Sequence, residues 1–454
     1  MSSPIECLSV ALPYEVSCLI DAGQIDAALE RIDLVLARTR DPLIHQRLEL
    51  EKHLLPIMVE AYPYTKDEAL SLIRRELPEF TGETFDRWEE AGMIEYRLYE
   101  GKKHYFNRFW ALLKKFYPEI QAMTGGPSTA ELEEEQKLTN AIRTIRETGS
   151  FGSHFRIRAS LGLTDSAFAA GDHVLVHLPF PKPVYPMKNI RLLSASHDFY
   201  VLAPEDAPSR TISFETDLTK NKIFSVEYEY DCEIAYHDLW NDTPATTAPD
   251  FETGEILPHV RFTPYLRSLA ASIVGSETDP LKKTRLIYDF CTSELVYTYM
   301  PPYVILKDIA ETCAVRRKGD CGVQSLLFIT LCRISGVPAR FQSALYVPAT
   351  GTAGCHDWAE FYTDQYGWLP TDISYGSSAW RKGDEIRRRF YFGNLDPYRM
   401  IANTAFQADF IPPKKALRYD PYDNQTGEIE VNGCKIPRDR YQTSTIVLEQ
   451  SDIR

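Results

Sequence analysis

"GDCGVQSLLFITLCRISGVPARF", residues 319–341, decides how this chain is read. Val323, Leu326, Leu327, Leu331 and Ile334 recur at helical spacing and form one apolar face, while Gly336 and Pro338 supply a stop. Cys321 therefore opens a helix. There the unpaired backbone N–H groups and the positive end of the macrodipole favour thiolate over thiol, the form that a nucleophile needs. Cys332, eleven residues on and inside the same helix, reads as core filling.

A nucleophilic thiol needs a proton partner, and that partner needs an orienting acid. Downstream, "CHDWAEFYTDQYGWLPTD" (355–372) follows a strand-like "ARFQSALYV" and a Gly/Thr loop. "HDWAEFYT" alternates like a half-buried strand, "DQYG" turns the chain and "WLPTDIS" returns it. A hairpin centred on residue 364 brings His356 and Asp372 opposite or diagonal to one another, within side-chain reach. Taken singly, a buried cysteine, a polar histidine and a turn-forming aspartate are ordinary. Their order and placement make Cys321, His356 and Asp372 a candidate catalytic triad.

Outward from this centre, 454 residues exceed the size at which single cores stop growing, so several domains are expected. Hydrophobic residues at 44% and charged residues at 25% describe a globular chain able to bury cores. A formal charge of −14 disfavours a global nucleic-acid or anionic-membrane surface, leaving only local anion sites. The start lacks a basic region followed by an uninterrupted apolar run, and no stretch approaches the roughly 20 apolar residues of a membrane span. Nine scattered cysteines without any CxxC pair fit a reducing compartment. These features predict a cytoplasmic protein without membrane or nucleic-acid partners; the sequence leaves the oligomeric state unknown.

Residues 1–148 read as a mainly helical accessory domain. Within it "TFDRWEEAGMIEYRLYEGKKHYFNRFWALLKKF" predicts helix, hairpin turning at Glu100-Gly101, and helix. Lys102, Lys103 and His104 near the tip raise a winged-helix reader of DNA, against which the acidic chain argues. "STAELEEEQKLTNAIRTIRETGS" predicts a solvated helix running into a Gly/Ser break. Over 152–240 the period changes to two: "FRIRASLGL", "HVLVHLPF", "RTISFETDL" and "FSVEYEYDCEIAY" predict an antiparallel β-sandwich-like domain. His173 and His177 fall on one face of a strand there, a weak pointer to metal without a Cys or acidic partner nearby. The Pro/Thr/Asp-rich 241–259 is the boundary candidate. A catalytic core then spans 258–400, and 401–454 forms a turn- and strand-rich tail packed on it.

The core residues carry a resemblance. Over about 261–378, "LVYTY" (295–299), G-D-C opening a helix, "GVPARF" entering a strand, "HDWAEFY" and "GWLPTD" resemble the transglutaminase-like superfamily, in the style of its multidomain bacterial members. The resemblance implies an α+β, papain-like core with Cys321 as nucleophile, His356 as base and acid, and Asp372 as orienter. It implies a thioester made from a carboxamide and then passed to water, which is proteolysis or deamidation, or to an amine, which is transglutamination. Two departures stand out. No Gln shortly precedes Cys321 to complete an oxyanion hole, leaving its backbone N–H with Tyr297 or Trp358 as candidate partners. No acidic loop matches the calcium sites of animal transglutaminases, so no cofactor or metal is expected.

The sequence thus predicts a thiol hydrolase acting on a peptide or protein amide, with amine transfer or a catalytically inactive binding scaffold as alternatives. "RKGDEIRRRF" (381–390) reads either as a receiver of an acidic substrate group or as a solvated face with acidic partners of its own. Cys355 beside His356 lacks the spacing of a zinc site. Trp358 and Trp368 wall the site or pack the sheet.

Overall fold

The computed structural model describes the chain apart from residues 1–5, 165–168, 170, 219–222, 242–246, 248, 349–350, 419–422 and 454. Parts of the predicted connector at 241–259, of the loop before His356 and of the C-terminal hairpin segment thus lie outside the described residues. The fold is α+β. It divides into two compact units, one of residues 1–129 with 297–307, the other of 130–296 with 308–454.

The first unit is helical. Tyr14–Asp21, Ile25–Leu36, Pro42–Ala61, Lys66–Arg74, Gly82–Glu90 and Phe109–Phe116 bury one face each around Val16, Ile32, Leu48, Leu55, Ile73, Phe85 and Leu113. Thr65 and Glu68 form a reciprocal capping box that fixes the start of the Lys66–Arg74 helix. The expected hairpin is present. Tyr96–Tyr99 pairs with Lys102–Tyr105, and Glu100 and Gly101 both adopt positive φ (47° and 75°), the twist of a tight two-residue turn. Lys103 pairs with Glu89 and stands 4.4 Å over the Tyr96 ring, while the tip itself is exposed.

Among the described residues, the second unit contains three larger antiparallel sheets. Ile223–Ala235 alternates buried and partly exposed residues along its length, the period-two pattern of a strand with one face on a core. It sits in a five-stranded sheet ordered Gly351–Thr352, Tyr441–Ile453, Ser150–Leu163, Ile223–Ala235, Met187–Ala195. A second is ordered Cys434–Lys435, Glu428–Val431, His173–Pro179, Thr211–Asp217, Val201–Leu202. Phe155, Ile157, Val174, Val176, Ile212, Phe214 and Tyr228 from the two sheets share one core.

Here the sequence-based boundaries shift. Residues 401–454 are no tail on the catalytic core: Tyr441–Ile453 pairs with Ser150–Leu163 and Glu428–Val431 pairs with His173–Pro179, so both β layers need C-terminal strands. The Thr129–Thr148 helix is not merely solvated. It buries Leu138, Ala141, Ile142 and Ile145 in the β-layer core and falls almost wholly in the second unit. Nor does the 241–259 connector separate compact bodies, because Trp358, Tyr398 and Met400 from beyond it join the same apolar cluster.

The third sheet positions the chemistry. Its order is Gly367–Thr371, Gly354–Thr363, Ala339–Tyr346, Arg399–Asn403. The Cys321–Ile334 helix packs on it, and Pro264–Val274, Pro280–Glu294 and Ile309–Arg316 pack against that helix. Among the described residues no helix is long and apolar enough to cross a membrane.

Candidate active site

Asp320 and Gly319 set the position of the cysteine. Asp320 is the N-cap of the Cys321–Ile334 helix, its carboxylate accepting the Val323 N–H at 3.1 Å, a cap worth about 1 kcal/mol. A Cβ on Gly319 would lie 2.5 Å from Val323 Cγ1, so only glycine lets the chain enter this helix so closely. Cys321 thus begins the helix as the spacing predicted. Leu326, Leu327 and Leu331 are fully buried, each contributing roughly 1.5–3 kcal/mol.

Gly354–Thr363 and Gly367–Thr371 form the expected hairpin, with Thr363 opposite Gly367 and Ala359 opposite Thr371. Its centre is residue 365, one beyond the predicted 364, which makes His356 and Asp372 diagonal neighbours. His356 Nε2 lies 2.7 Å from Asp372 Oδ2. Asp372 ends the strand and caps the Ile373–Arg381 helix, its Oδ1 accepting from Tyr375 N–H and Ser374 Oγ, both at 3.0 Å.

Behind Asp372 stands Arg399, which no spacing in the sequence flagged. Its Nη1 is 3.0 Å from Asp372 Oδ2, an ionic contact, and its Nη2 is 2.5 Å from Asp396 Oδ2. All three side chains are fully buried. The guanidinium also lies 4.6 Å from the Tyr375 ring and 5.4 Å from that of Trp358. Burial alone would push the Asp372 carboxyl up; the opposing charges of His356 and Arg399 and the hydrogen bonds it accepts instead hold it down at about 2.

The thiol differs from expectation. Cys321 Sγ donates to Asp357 Oδ2 at 3.4 Å, and among the described residues no hydrogen bond joins it to His356. Burial, then the negative charges of Asp357 and Asp320, push the thiol well above its usual range and override the helix N-terminus. The sequence argument weighed the helix end and overlooked the carboxylate adjacent to the histidine. Asp357 is gripped in turn by Gln425, whose Nε2 donates to Asp357 Oδ1 and to the His356 carbonyl at 3.2 Å.

The remaining candidates separate. Trp358 is fully buried and its indole N–H is spent on Gln342 Oε1, so it packs the sheet rather than presenting a donor. Tyr297 groups with the helical unit, its ring 4.7 Å from Phe116. The run 381–390 is partly exposed, and its cations have acidic partners of their own. Arg387 and Arg388 are buried, Arg387 pairing with Glu135 and Arg388 with Asp289 and Glu385, while Arg389 pairs with Glu385 and Lys382 with Glu135. His173 is exposed between Asp217 and Glu215 (2.8 and 3.0 Å), whereas His177 is buried against Phe410 at 4.5 Å; the two do not act together. Among the described residues no three His, Cys, Asp or Glu side chains form a group able to hold a metal ion.

Residues 267–373 match the family model of the transglutaminase-like superfamily. An uncharacterized protein of Haemophilus influenzae is 24% identical over 185 residues, 34% of this chain, and the match covers half of that protein's length. Among solved structures, a putative cysteine protease from Cytophaga hutchinsonii is 16% identical with a TM-score of 0.40, covering 67% of this chain and 93% of that one. The periplasmic domain of TgpA from Pseudomonas aeruginosa is 12% identical with a TM-score of 0.27, covering 55% of this chain and 96% of that domain. The segment that carries Cys321, His356 and Asp372 thus matches the core of the transglutaminase-like superfamily.

Proposed function

We propose that this site is a cysteine-dependent acyl-transfer centre that hydrolyses a peptide or protein amide through a thioester. The observation that carries the reading is the 2.7 Å contact between His356 Nε2 and Asp372 Oδ2, beside a helix that begins at Cys321. With Nε2 committed to Asp372, the other ring nitrogen, Nδ1, is the atom available to the thiol proton. Cys321 Sγ attacks the amide carbonyl carbon as its proton passes to His356. The helix-start N–H groups support the developing oxyanion. The C–N bond then breaks, His356 returns the proton to the departing amine, and water repeats the sequence in reverse on the thioester. Asp372, held ionised, keeps the imidazole oriented and stabilises its charged form.

The scaffold alternative draws on one observation, the bond of the thiol to Asp357 in place of His356. A tryptic peptide mixture incubated with the protein in 18O-water tests both, read by mass spectrometry. Hydrolysis predicts 18O at new carboxyl groups, lost in Cys321→Ala and His356→Ala. Attachment of dansylcadaverine to glutamine side chains, with the same dependence, would replace hydrolysis by amine transfer. Absence of both would leave the scaffold.

A further inference from the structure

Asp357 meets the sulfur of Cys321 directly. Its Oδ2 holds the nucleophile's proton, its own N–H is bonded to the sulfur, and its Oδ1 is fixed by Gln425. Asp357 is 4% exposed and Gln425 1%, so the carboxylate is clamped against Cys321 in a setting of low dielectric. The other titratable groups around the sulfur are Asp320 at the helix start, Tyr375 on the Ile373–Arg381 helix and His356 itself. Asp320 adds a second negative charge. A thiolate formed beside both carboxylates is disfavoured unless a positive charge arrives at Asp357.

Resting on the acyl-transfer reading above, we propose that Asp357 is a specificity-determining carboxylate, which stores the nucleophile as a thiol and releases it when a cationic group of the substrate takes the thiol's place. The cation is an ammonium or guanidinium carried next to the scissile amide. The exchange balances: the S–H···O bond to Asp357 breaks, an N–H···O bond from the cation forms, and the proton moves from Sγ to His356 Nδ1. No electrons are transferred, and the proton later leaves with the amine. A neutral or anionic substrate supplies no such replacement and meets a protonated thiol. Selection then comes from the cost of the unmatched carboxylate as much as from the new ion pair.

Methanethiosulfonate reagents of similar size test this without knowledge of the substrate. The full chain is treated at pH 7 with the cationic trimethylammonium-ethyl, the neutral ethyl and the anionic sulfonatoethyl reagent, and modification of Cys321 is timed by peptide mass spectrometry. The exposed Cys18 and Cys434 in the same digests report reagent reactivity, and protection of the buried Cys232 and Cys332 reports an intact fold. Wild type is expected to favour the cationic over the neutral reagent at Cys321 by about tenfold or more, the scale of one partly screened unit charge a few ångströms away. In Asp357→Asn the ratio should fall to within about twofold of that at Cys18, and the neutral-reagent rate should rise as the thiol is released. Gln425→Met, which loosens the carboxylate without removing it, should give an intermediate ratio. Equal charge ratios in wild type and Asp357→Asn overturn the proposal. If those ratios are equal while His356→Ala still slows the neutral reagent, the acyl-transfer reading survives alone. If the charge ratio is lost in Asp357→Asn but His356→Ala changes nothing, the carboxylate gate stands and the catalytic pair falls.

Discussion

Two aspartates flank His356, and they sit in opposite surroundings. Asp372 is fully buried yet answered on every side, by His356, Arg399, Ser374 and the Tyr375 N–H. Asp357 is almost as buried, but its carboxylate meets the thiol it restrains and the amide of Gln425. The first carboxylate is built to stay charged and to aim an imidazole. The second sets a charge against the nucleophile. Burial by itself therefore predicts neither role; what decides is which groups meet the carboxylate oxygens.

The sharpest way to break this contrast is Asp372→Asn. The side chain keeps its shape but loses the charge that orients His356 and stabilises its protonated form. Cys321-dependent turnover should fall by roughly 10⁴, as in triads that lose their acid. Denaturant unfolding would show whether the loss is catalytic, since an unfolded variant would also lose the protection of its buried cysteines. Turnover within a few-fold of wild type would remove Asp372 from the proposed machinery.

Arg399→Met comes next. It leaves Asp372 and Asp396 buried without their shared cation, and breaking such a pair costs about 3–5 kcal/mol. Urea unfolding measures this, and the combined Arg399→Met, Asp396→Asn protein should recover part of it. A loss below about 1 kcal/mol would mean that water reaches Asp372 and that the ionic cage matters little. The pH dependence follows with a definite sign. Asp372 has a folded value near 2, below the ordinary range of about 3.9, so its contribution is complete above about pH 4 and drains away as pH falls towards 2. In Arg399→Met the same loss should begin at higher pH, because one of the charges holding the value down is gone.

The asymmetry between the aspartates also marks what was legible in the sequence. The Cys321 helix start, the 356–372 hairpin and the Glu100-Gly101 turn are encoded within a few residues of one another, by caps, alternation and turn chemistry, and the structure places them within one residue of expectation. Asp357 hid in plain view, since an acidic residue in an alternating strand carries no sign of what it will face. Arg399 and Gln425 come from 27 and 53 residues beyond Asp372, and no local rule connects them to it. The β layers failed for the same reason. Ser150–Leu163 and Tyr441–Ile453 are recognisable as strands singly, but their pairing spans almost the whole second unit and is fixed by tertiary packing.

Gln425 offers the smallest and most discriminating test, because it joins these two kinds of information. It lies on the short Asp423–Thr426 helix just before the strand Glu428–Val431, which belongs to a β layer, yet its amide closes on the Gly354–Thr363 strand at Asp357 and at the His356 carbonyl. Gln425→Leu removes both donors while keeping the apolar stem, and should cost about 1–3 kcal/mol, the range for leaving buried acceptors unmet. The informative reading is the direction of the accompanying change at Cys321. If Gln425 restrains Asp357 against the thiol, freeing the carboxylate lets the sulfur reach His356 more often, and alkylation by iodoacetamide should quicken by a few-fold. A slower reaction would mean that the amide instead draws charge away from Asp357 and eases ionisation, making the β-layer strand an activator of the site and reversing the part assigned to it.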